Sequence, residues 1–595
     1  MLIASAFLLP ALAVSVIALA GAAGPSAAHR VRRTTAILAP LTTLPAVLLS
    51  LFGEGARLEV PWLLLGAEFY VDPWARSLTL IAALLYSAAL MAVSWTKLRD
   101  TEKGSGALTA FLLVCFVGNV GTYVAADAAS FYAAFALLSF SAAGLVIHYR
   151  SQEAQRATRI YLVMSVISET AILAGLILTA SAGGHRVADA PAAVAESELT
   201  GLIVVLLLIG FGVKAGTVPL HVWLPLAHPA APPAASAVLS GAMVKAGLVG
   251  WLRFLPLGEA ALAATGYTLL ALALVGAFAA AAIGVLQRDP KVVLAYSTIS
   301  QMGFITCLVA AGLLVPELAS TAAAASVLYA VHHGLAKGAL FLGVPVAKHF
   351  GTGGTRWLVL VGLVGAALAV AGAPLTSGAY GKYVSKETVE GVTFLGADLY
   401  YLLPLVATGS VVLLMRCGWL LWSAERHPEH RPAGELASWL LVCAAGVAVP
   451  WLVGAFWLEA GGFSWELGPL WDATWPLLLG VVLGLGVWWS AHRGWLPGWA
   501  MHADGSAVQP GDLVVAEESL AARAGRGAAV VLDGAHRGTA MVRASVWNVM
   551  SSAGERTEQG LDGGERRLRS WEFSGAAVLV VLVAALMVLS VGWLV

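Results

Sequence analysis

The sequence predicts an all-α polytopic membrane protein of about sixteen transmembrane helices, with two inverted five-helix repeats and broken helices 7 and 12. Three observations predict it. The chain of 595 residues is 59% hydrophobic and only 11% charged, with a mean hydropathy of +0.83, a balance typical of membrane-embedded chains. Its apolar runs recur at lengths near the ~20 residues that a bilayer requires. Two of these runs are interrupted by Gly/Pro clusters, and each has a lysine within it or beside the break.

The runs, in order, are 2–23, 34–53, 72–95, 106–125, 128–148, 158–181, 200–226 (broken), 233–256, 261–286, 291–314, 319–346, 357–392 (broken), 399–422, 434–457, 473–492 and 573–595. The first lacks a basic stretch ahead of it, so it is expected to stay as a span rather than leave as a signal peptide. Segments follow from this list. Residues 1–105 hold helices 1–3, 106–256 a first half (helices 4–8), 257–422 a second half (helices 9–13) and 423–492 helices 14–15. Residues 493–572 form a polar segment ahead of the final anchor at 573–595.

Loop charges set the expected orientation. Odd-numbered loops carry Arg30, Arg32 and Arg33, Lys97, Arg99 and Lys103, Arg150, Arg156 and Arg159, then Arg288, Lys291, Lys348, Arg356, Arg426 and Arg431. Even-numbered loops carry Glu54, Glu59, Glu68, Asp189, Glu196, Glu198, Glu459, Glu466 and Asp472. The positive-inside rule puts the odd loops in the cytoplasm and both termini outside, in an inner (plasma) membrane. The polar segment is then cytoplasmic. If its middle (511–569) were one helix it would reach roughly 90 Å. Eight glycines interrupt it, each costing about 1 kcal/mol in a helix interior, so it is expected as a lateral helix docked on the membrane domain or a neighbour, with a linker as the alternative.

Chemistry concentrates in the broken runs. In IGFGVKAGTVPLHVWLPLAHPAAPPAASAVLSGAMVKAGLVGWLR (209–253), Lys214 precedes the break, His221 and His228 lie in it, and Lys245 follows. A lysine at mid-bilayer costs ~2.5–3.5 kcal/mol on insertion scales, and irregular backbone at membrane depth is tolerated only inside protein or beside a hydrated cavity. The stretch therefore reads as part of an ion path. Run twelve has the break AGAPLTSGAYG (371–381) followed by Lys382, and run eleven carries VHHGLAKGALFL with His332, His333 and Lys337. His333 and Lys337, four apart, share a helix face. Paired broken segments in two halves point to inverted repeats of a transporter. Ser297, Thr298, Ser300 and Gln301 serve either water or neighbouring helices, with the second favoured.

Several chemistries find no support. Zero formal net charge offers no basic surface for nucleic acid. Cys115, Cys307, Cys417 and Cys443 lie far apart in apolar runs, without a CxxC pair, and read as small buried hydrophobes. No Gly-rich nucleotide loop is present, and the histidines are not at metal-ligand spacing. No catalytic residue, cofactor or metal is expected, so the driving energy must come from partner subunits or another ion gradient.

The motifs at 209–253, DPKVVLAYSTISQMGF (289–304), VHHGLAKGALFL (331–342) and PLTSGAYGK (374–382) resemble the antiporter-like subunits shared by respiratory complex I, Mrp-type cation/proton antiporters and membrane-bound group 4 hydrogenases. The wording GFGVKAGTVPLHVWLPLAHPAAP is nearest the hydrogenase type, and a final span behind a long cytoplasmic segment is similar to the large distal subunit of complex I (subunit 5, or chain L). The resemblance implies a half-channel lysine at Lys214, a connecting lysine at Lys245, a second-half pair His333 and Lys337, and a terminal lysine at Lys382; His221, His228 and His332 are candidate relays beside these, with the capping of backbone groups an equal alternative for His228. One departure matters. The family's carboxylate partner for the first lysine falls at Ala136, while Glu169 sits in the next run. Either Glu169 has moved in as the partner of Lys214, or the first half-channel is altered or inactive.

A lysine in water has a pKa near 10.4, so releasing a proton near pH 7 requires about three units, ~4 kcal/mol. Burial can supply that and a nearby carboxylate can reverse it. Two functions fit. The first is a proton-translocating subunit of a multi-subunit membrane complex, driven by a redox module of hydrogenase or quinone-reductase type. The second is a subunit of a secondary Na+/H+ antiporter or ion-gradient-driven uptake complex. A scaffold with inactive channels is a third class, kept open by Ala136.

Overall fold

A computed structural model describes residues 1–20, 25–64, 66–97, 105–426, 434–501, 505 and 507–514. The expected final anchor at 573–595, and the lateral segment from 515 on, lie outside the described residues. The chain divides into two units. The first, Met1–Ala13 with Arg33–Gly511, holds the candidate site described below. The second takes in Val14–Arg32 and the chain from Asp512 on; within it Arg32 Nε donates to Ile17 O at 3.4 Å.

The described chain is overwhelmingly helical. Its elements are α1 (Leu2–Leu19), α2 (Pro25–Leu38), α3 (Leu44–Phe52), α4 (Pro73–Lys97), α5 (Ser105–Val124), α6 (Ala128–Val146), α7 (Gln152–Ser181), α8 (Ala190–Glu196), α9 (Thr200–Ala215), α10 (Trp223–Ala230) and α11 (Pro233–Val238). After a π-turn at Leu239–Met243 come α12 (Val244–Phe254), α13 (Ala263–Val285), α14 (Pro290–Leu314), α15 (Ala319–Phe350), α16 (Arg356–Ala371), α17 (Ser377–Thr388), α18 (Leu399–Leu402), α19 (Leu405–Ser423), α20 (Gly434–Phe456), α21 (Leu467–His492) and α22 (Gly498–Met501). Among the described residues fourteen helices are long and apolar enough to cross a membrane, and the shorter α9 is the first piece of a broken one. These match the first fifteen expected runs.

Some boundaries differ. The second span begins at Ser26, so Arg30, Arg32 and Arg33 ride on its first turns rather than in a loop. The sixth begins at Gln152, where Ser151 Oγ accepts from Ala154 N at 3.1 Å as an N-cap. Helix-compatible arginines keep a span going beyond its apolar run because their stems pack while their heads reach water. Two hairpins were not foreseen, β1 (Arg57–Val60) with β2 (Ala67–Tyr70) and β3 (Thr393–Phe394) with β4 (Ala397–Asp398). Strands of two to four residues carry too little alternation to be read from sequence.

Burial separates inner from outer helices. The spans Pro233–Phe254 and Pro290–Leu314 are 100% buried over their apolar windows, while Leu467–His492 is 11% buried. The inner helices α12, α14 and α15 thus hold the core, with α13 packed along α14, α7 and α12 along α9, and α20 along α15. Both expected breaks are present. Helix α9 ends at Gly216 (φ 70°) and α16 at Gly372 (φ 87°), left-handed positions that favour glycine. Trp223 Nε1 donates to Val213 O at 2.7 Å, tying α10 back to α9. In the second break Thr376 caps α17 through Ala379 N at 3.3 Å.

Candidate functional site

The predicted lysines and histidines, all buried except the half-buried Lys382, come from the breaks and from the inner helices. Lys214 stands in the last turn of α9, 2% exposed. Its Nζ donates to Tyr161 Oη at 3.0 Å and lies 5.7 Å from the Phe135 ring. Tyr161 in turn donates to Ser139 O at 2.7 Å. Glu169, on α7 two turns beyond Tyr161, is 4% exposed. It makes no ion pair with Lys214, and neither carboxylate oxygen has a hydrogen-bond partner in the protein. The sequence reading therefore placed Glu169 near Lys214 but missed Tyr161, which occupies the contact. The available signal was a polar stripe on α7, where Tyr161, Ser165, Ser168 and Glu169 recur at helical spacing.

Lys245 follows the π-turn, a rare local widening often found at functional sites. Its Nζ donates to Ser240 O at 2.7 Å and lies 2.8 Å from His333 Nδ1 on α15. With the lysine charged, the ammonium donates and His333 carries its proton on Nε2; with the lysine neutral, the roles reverse. A proton can pass at this contact. Beyond it runs a chain toward Lys337. Ser240 Oγ meets Thr298 Oγ1 at 2.8 Å, Thr298 donates to Leu294 O at 3.0 Å, and Lys337 Nζ donates to that same carbonyl at 3.1 Å.

His332 faces away from its neighbour, toward α17. Ser377 Oγ donates to Gly446 O at 2.8 Å. His332 Nδ1, 2.9 Å from that hydroxyl, is therefore the donor to it, and Nε2 is left without a protein partner. Lys382 Nζ donates to Ala371 O at 2.7 Å, at the C-terminal end of α16, where a cation also meets the negative end of the helix dipole. A cavity of about 40 Å³ lies alongside, lined by Lys382, Lys386, Tyr383 and Asp472 among others, with room for a few waters at about 10–15 Å³ each. Lys386, not singled out by the sequence reading, pairs with Asp472 at 2.6 Å and lies over the Tyr400 ring at 4.0 Å.

The relay histidines of the first break divide. His228 is fully buried and stacks on Phe341 at 4.4 Å, with neither ring nitrogen bonded to protein. His221, in the turn before α10, is buried at 2% exposure. Lys291, read only as a loop charge, donates to Pro229 O and Ala231 O at 3.0 and 2.7 Å and so pins the end of α10. Of the polar quartet on α14, Ser300 donates to Ala277 O at 2.6 Å and Gln301 Nε2 to Ser410 Oγ at 2.8 Å, with Tyr329 hydrogen-bonded to the Gln301 oxygen. These two serve neighbouring helices.

Comparison with known proteins follows the same lines. Residues 125–389 match the family described as NADH:quinone oxidoreductase/Mrp antiporter, TM. Hydrogenase-4 component B of Escherichia coli is 32% identical over 301 residues, 48% of this chain and 44% of that protein. NADH-quinone oxidoreductase subunit N of Desulforudis audaxviator is 27% identical over 348 residues, 54% of this chain and 66% of that protein. The chain thus spans less than two thirds of the length of either relative. The Mrp complex of Dietzia sp. DQ12-45-1b shares the fold, with a TM-score of 0.70 at 20% identity over 89% of this chain and 60% of that one. Over residues 125–389 and in its broken helices this chain is thus similar to antiporter-like membrane subunits, among them components of complex I, Mrp antiporters and hydrogenases.

Proposed function

We propose that the protein translocates protons as one membrane subunit of a multi-subunit complex in the plasma membrane. One observation carries this reading: the 2.8 Å contact of Lys245 with His333, which joins α12 of the first half to α15 of the second at full burial. On either side of it stand Lys214 and Lys337, then Lys382. Buried ionisable groups inside a membrane domain are costly and mark ion pathways. His228, His332 and His333 keep ring nitrogens without protein partners, for which water is the remaining partner. The path thus runs from Lys214 through water and the Lys245–His333 contact to Lys337 and Lys382, with His221, His228 and His332 as relays. Glu169 approaches Lys214 to hold its proton and withdraws to release it. The odd loops and residues 493–572 face the cytoplasm and both termini lie outside.

A redox partner of hydrogenase or quinone-reductase type drives the movement. The likeness to hydrogenase-4 component B supports that assignment. A secondary cation/proton antiporter without a redox partner is the competing reading, and the Mrp-like fold favours it. The test is proton flux into vesicles that hold the assembled complex, with Lys245→Met and His333→Ala compared against the parent. Flux that survives in both variants at the parent rate removes the axis from the path. Hydrogenase or quinone-reductase genes beside this one select the first driver; genes for small antiporter subunits select the second.

A further inference from the structure

Helices α15, α16, α19 and α21 leave a cleft of about 370 Å³. That lies within the size range of small-molecule sites. Its walls are apolar, including Val359, Leu363, Leu414 and Leu421. It follows α16 from Arg356 to Ala371, which is ~22 Å at 1.5 Å per residue, against a hydrocarbon core of about 30 Å. One end differs from the rest. Arg356 and Arg426 both line it there, and both guanidinium groups lie over the Trp422 ring, at 5.4 and 5.0 Å.

Three features make that end anion-seeking. Two like charges share one indole ring, a placement that a bound anion relieves. Arg426 spends one nitrogen on Gly351 O at 2.7 Å, and Arg356 has no carboxylate partner among the described residues. The N-terminus of α16 lies at the same spot, and no side chain caps it, so the positive end of its dipole adds to the potential. Of the acids in this part of the chain, Glu435 is hydrogen-bonded to His349 at 3.0 Å, and neither it nor Glu425 pairs with Arg356 or Arg426 among the described residues. Trp357, 66% exposed, and Trp422, 54% exposed, are the residue type that anchors at the membrane interface.

We propose that this cleft holds one anionic phospholipid, its phosphate between Arg356 and Arg426 and an acyl chain laid along α16. An apolar slot that ends in two arginines fits a molecule with a long hydrocarbon and a phosphate at one end. The loops that carry the two arginines are the ones placed in the cytoplasm by the charge distribution, so the lipid belongs to the inner leaflet, where basic pockets between helices take anionic headgroups.

The test uses the full chain in its complex, purified in mild detergent, delipidated and exposed to phosphatidylglycerol or phosphatidylcholine, with bound lipid read by native mass spectrometry. The parent retains one phosphatidylglycerol per chain and releases phosphatidylcholine. Arg356→Gln with Arg426→Gln weakens phosphatidylglycerol retention by about tenfold or more, as expected for the loss of two charge-assisted phosphate contacts. Gly418→Phe fills the cleft instead. Gly418 lines it, and a Cβ built there meets nothing within 4 Å, so the ring enters the open slot and retention is lost, with thermal unfolding of the variant as the check that the fold survives. Equal retention in the parent and in both variants overturns the proposal, as does a parent that holds no phosphatidylglycerol because protein fills the slot.

Discussion

The crossing of the π-turn with α15 offers a quantitative test of the Lys245–His333 contact. Gly334 stands on α15 next to His333, and Gly241 lies inside the π-turn ahead of Lys245. A methyl carbon at Gly334 would lie 2.5 Å from Gly241 O. Carbon and carbonyl oxygen approach no closer than about 3.3 Å even in a weak C–H···O contact. In Gly334→Ala the two backbones must therefore part by about 0.8 Å, the difference between those distances. Taken up at the 2.8 Å Lys245–His333 contact, this stretches it to about 3.6 Å, which is no longer a hydrogen bond. Overpacking alone costs about 1–3 kcal/mol of stability. A lost hydrogen bond to a charged group is worth about 1.5–3 kcal/mol, or roughly 10- to 100-fold in rate if it falls on the transfer step. The assays are proton flux into vesicles that hold the assembled complex, and thermal unfolding of the same preparation. Gly365→Ala is the control, because a side chain there meets nothing within 4 Å. Parental flux in Gly334→Ala, with unfolding shifted or not, refutes the axis as the route.

Further outcomes are expected. Lys214→Ala and Lys337→Ala each lose most ion translocation while the protein inserts and assembles; flux at the parent rate in either removes that residue from the path. Tyr161→Phe, which deletes the oxygen 3.0 Å from Lys214, lowers flux by about tenfold on the same hydrogen-bond scale, and an unchanged rate assigns Tyr161 to packing. Glu169→Gln depresses transport and Ala136→Glu in the same chain restores part of it; near-normal transport in Glu169→Gln alone rejects the carboxylate as partner of Lys214. Reporter fusions after Arg33, Arg99 and Arg156 and around Gly534 read cytoplasmic, and an external reading at Gly534 breaks the sixteen-span count.

What could be read from sequence follows from cost. A lysine inside an apolar run is rare because insertion penalises it, so Lys214, Lys245 and Lys337 stood out without any structure. The breaks stood out because Gly and Pro punctuate helices. Tyr161, Ser240 and Ser377 did not, since polar uncharged residues are common in membrane helices and their partners come from other helices. Residue spacing along one helix says nothing about which neighbour a side chain meets. Lys386 and Asp472 escaped for a related reason. Asp472 was read as a loop charge that sets orientation and Lys386 was not singled out, whereas the fold brings them from α17 and α21 into one ion pair at 2.6 Å.

The partners of the row also say something about how it can be switched. Lys214 is held by a tyrosine hydroxyl, Lys245 by a carbonyl and an imidazole, and Lys337 and Lys382 by backbone carbonyls. Among the described residues the carboxylate contact of this region falls to Lys386, beyond the end of the row. Neutral oxygens stabilise an ammonium less than a carboxylate does, and they offer no second charge state to change the balance. A row built this way needs its switching charge delivered from outside the hydrogen bonds it already makes. In the proposed path Glu169 is the acid that serves this in the first half, buried and with neither carboxylate oxygen bonded to protein. For the second half the charge must come along the axis itself. In the proposed path, loading Lys245 or Lys337 repels the proton on the next site, which makes the Lys245–His333 contact the coupling between the two halves as well as their connection.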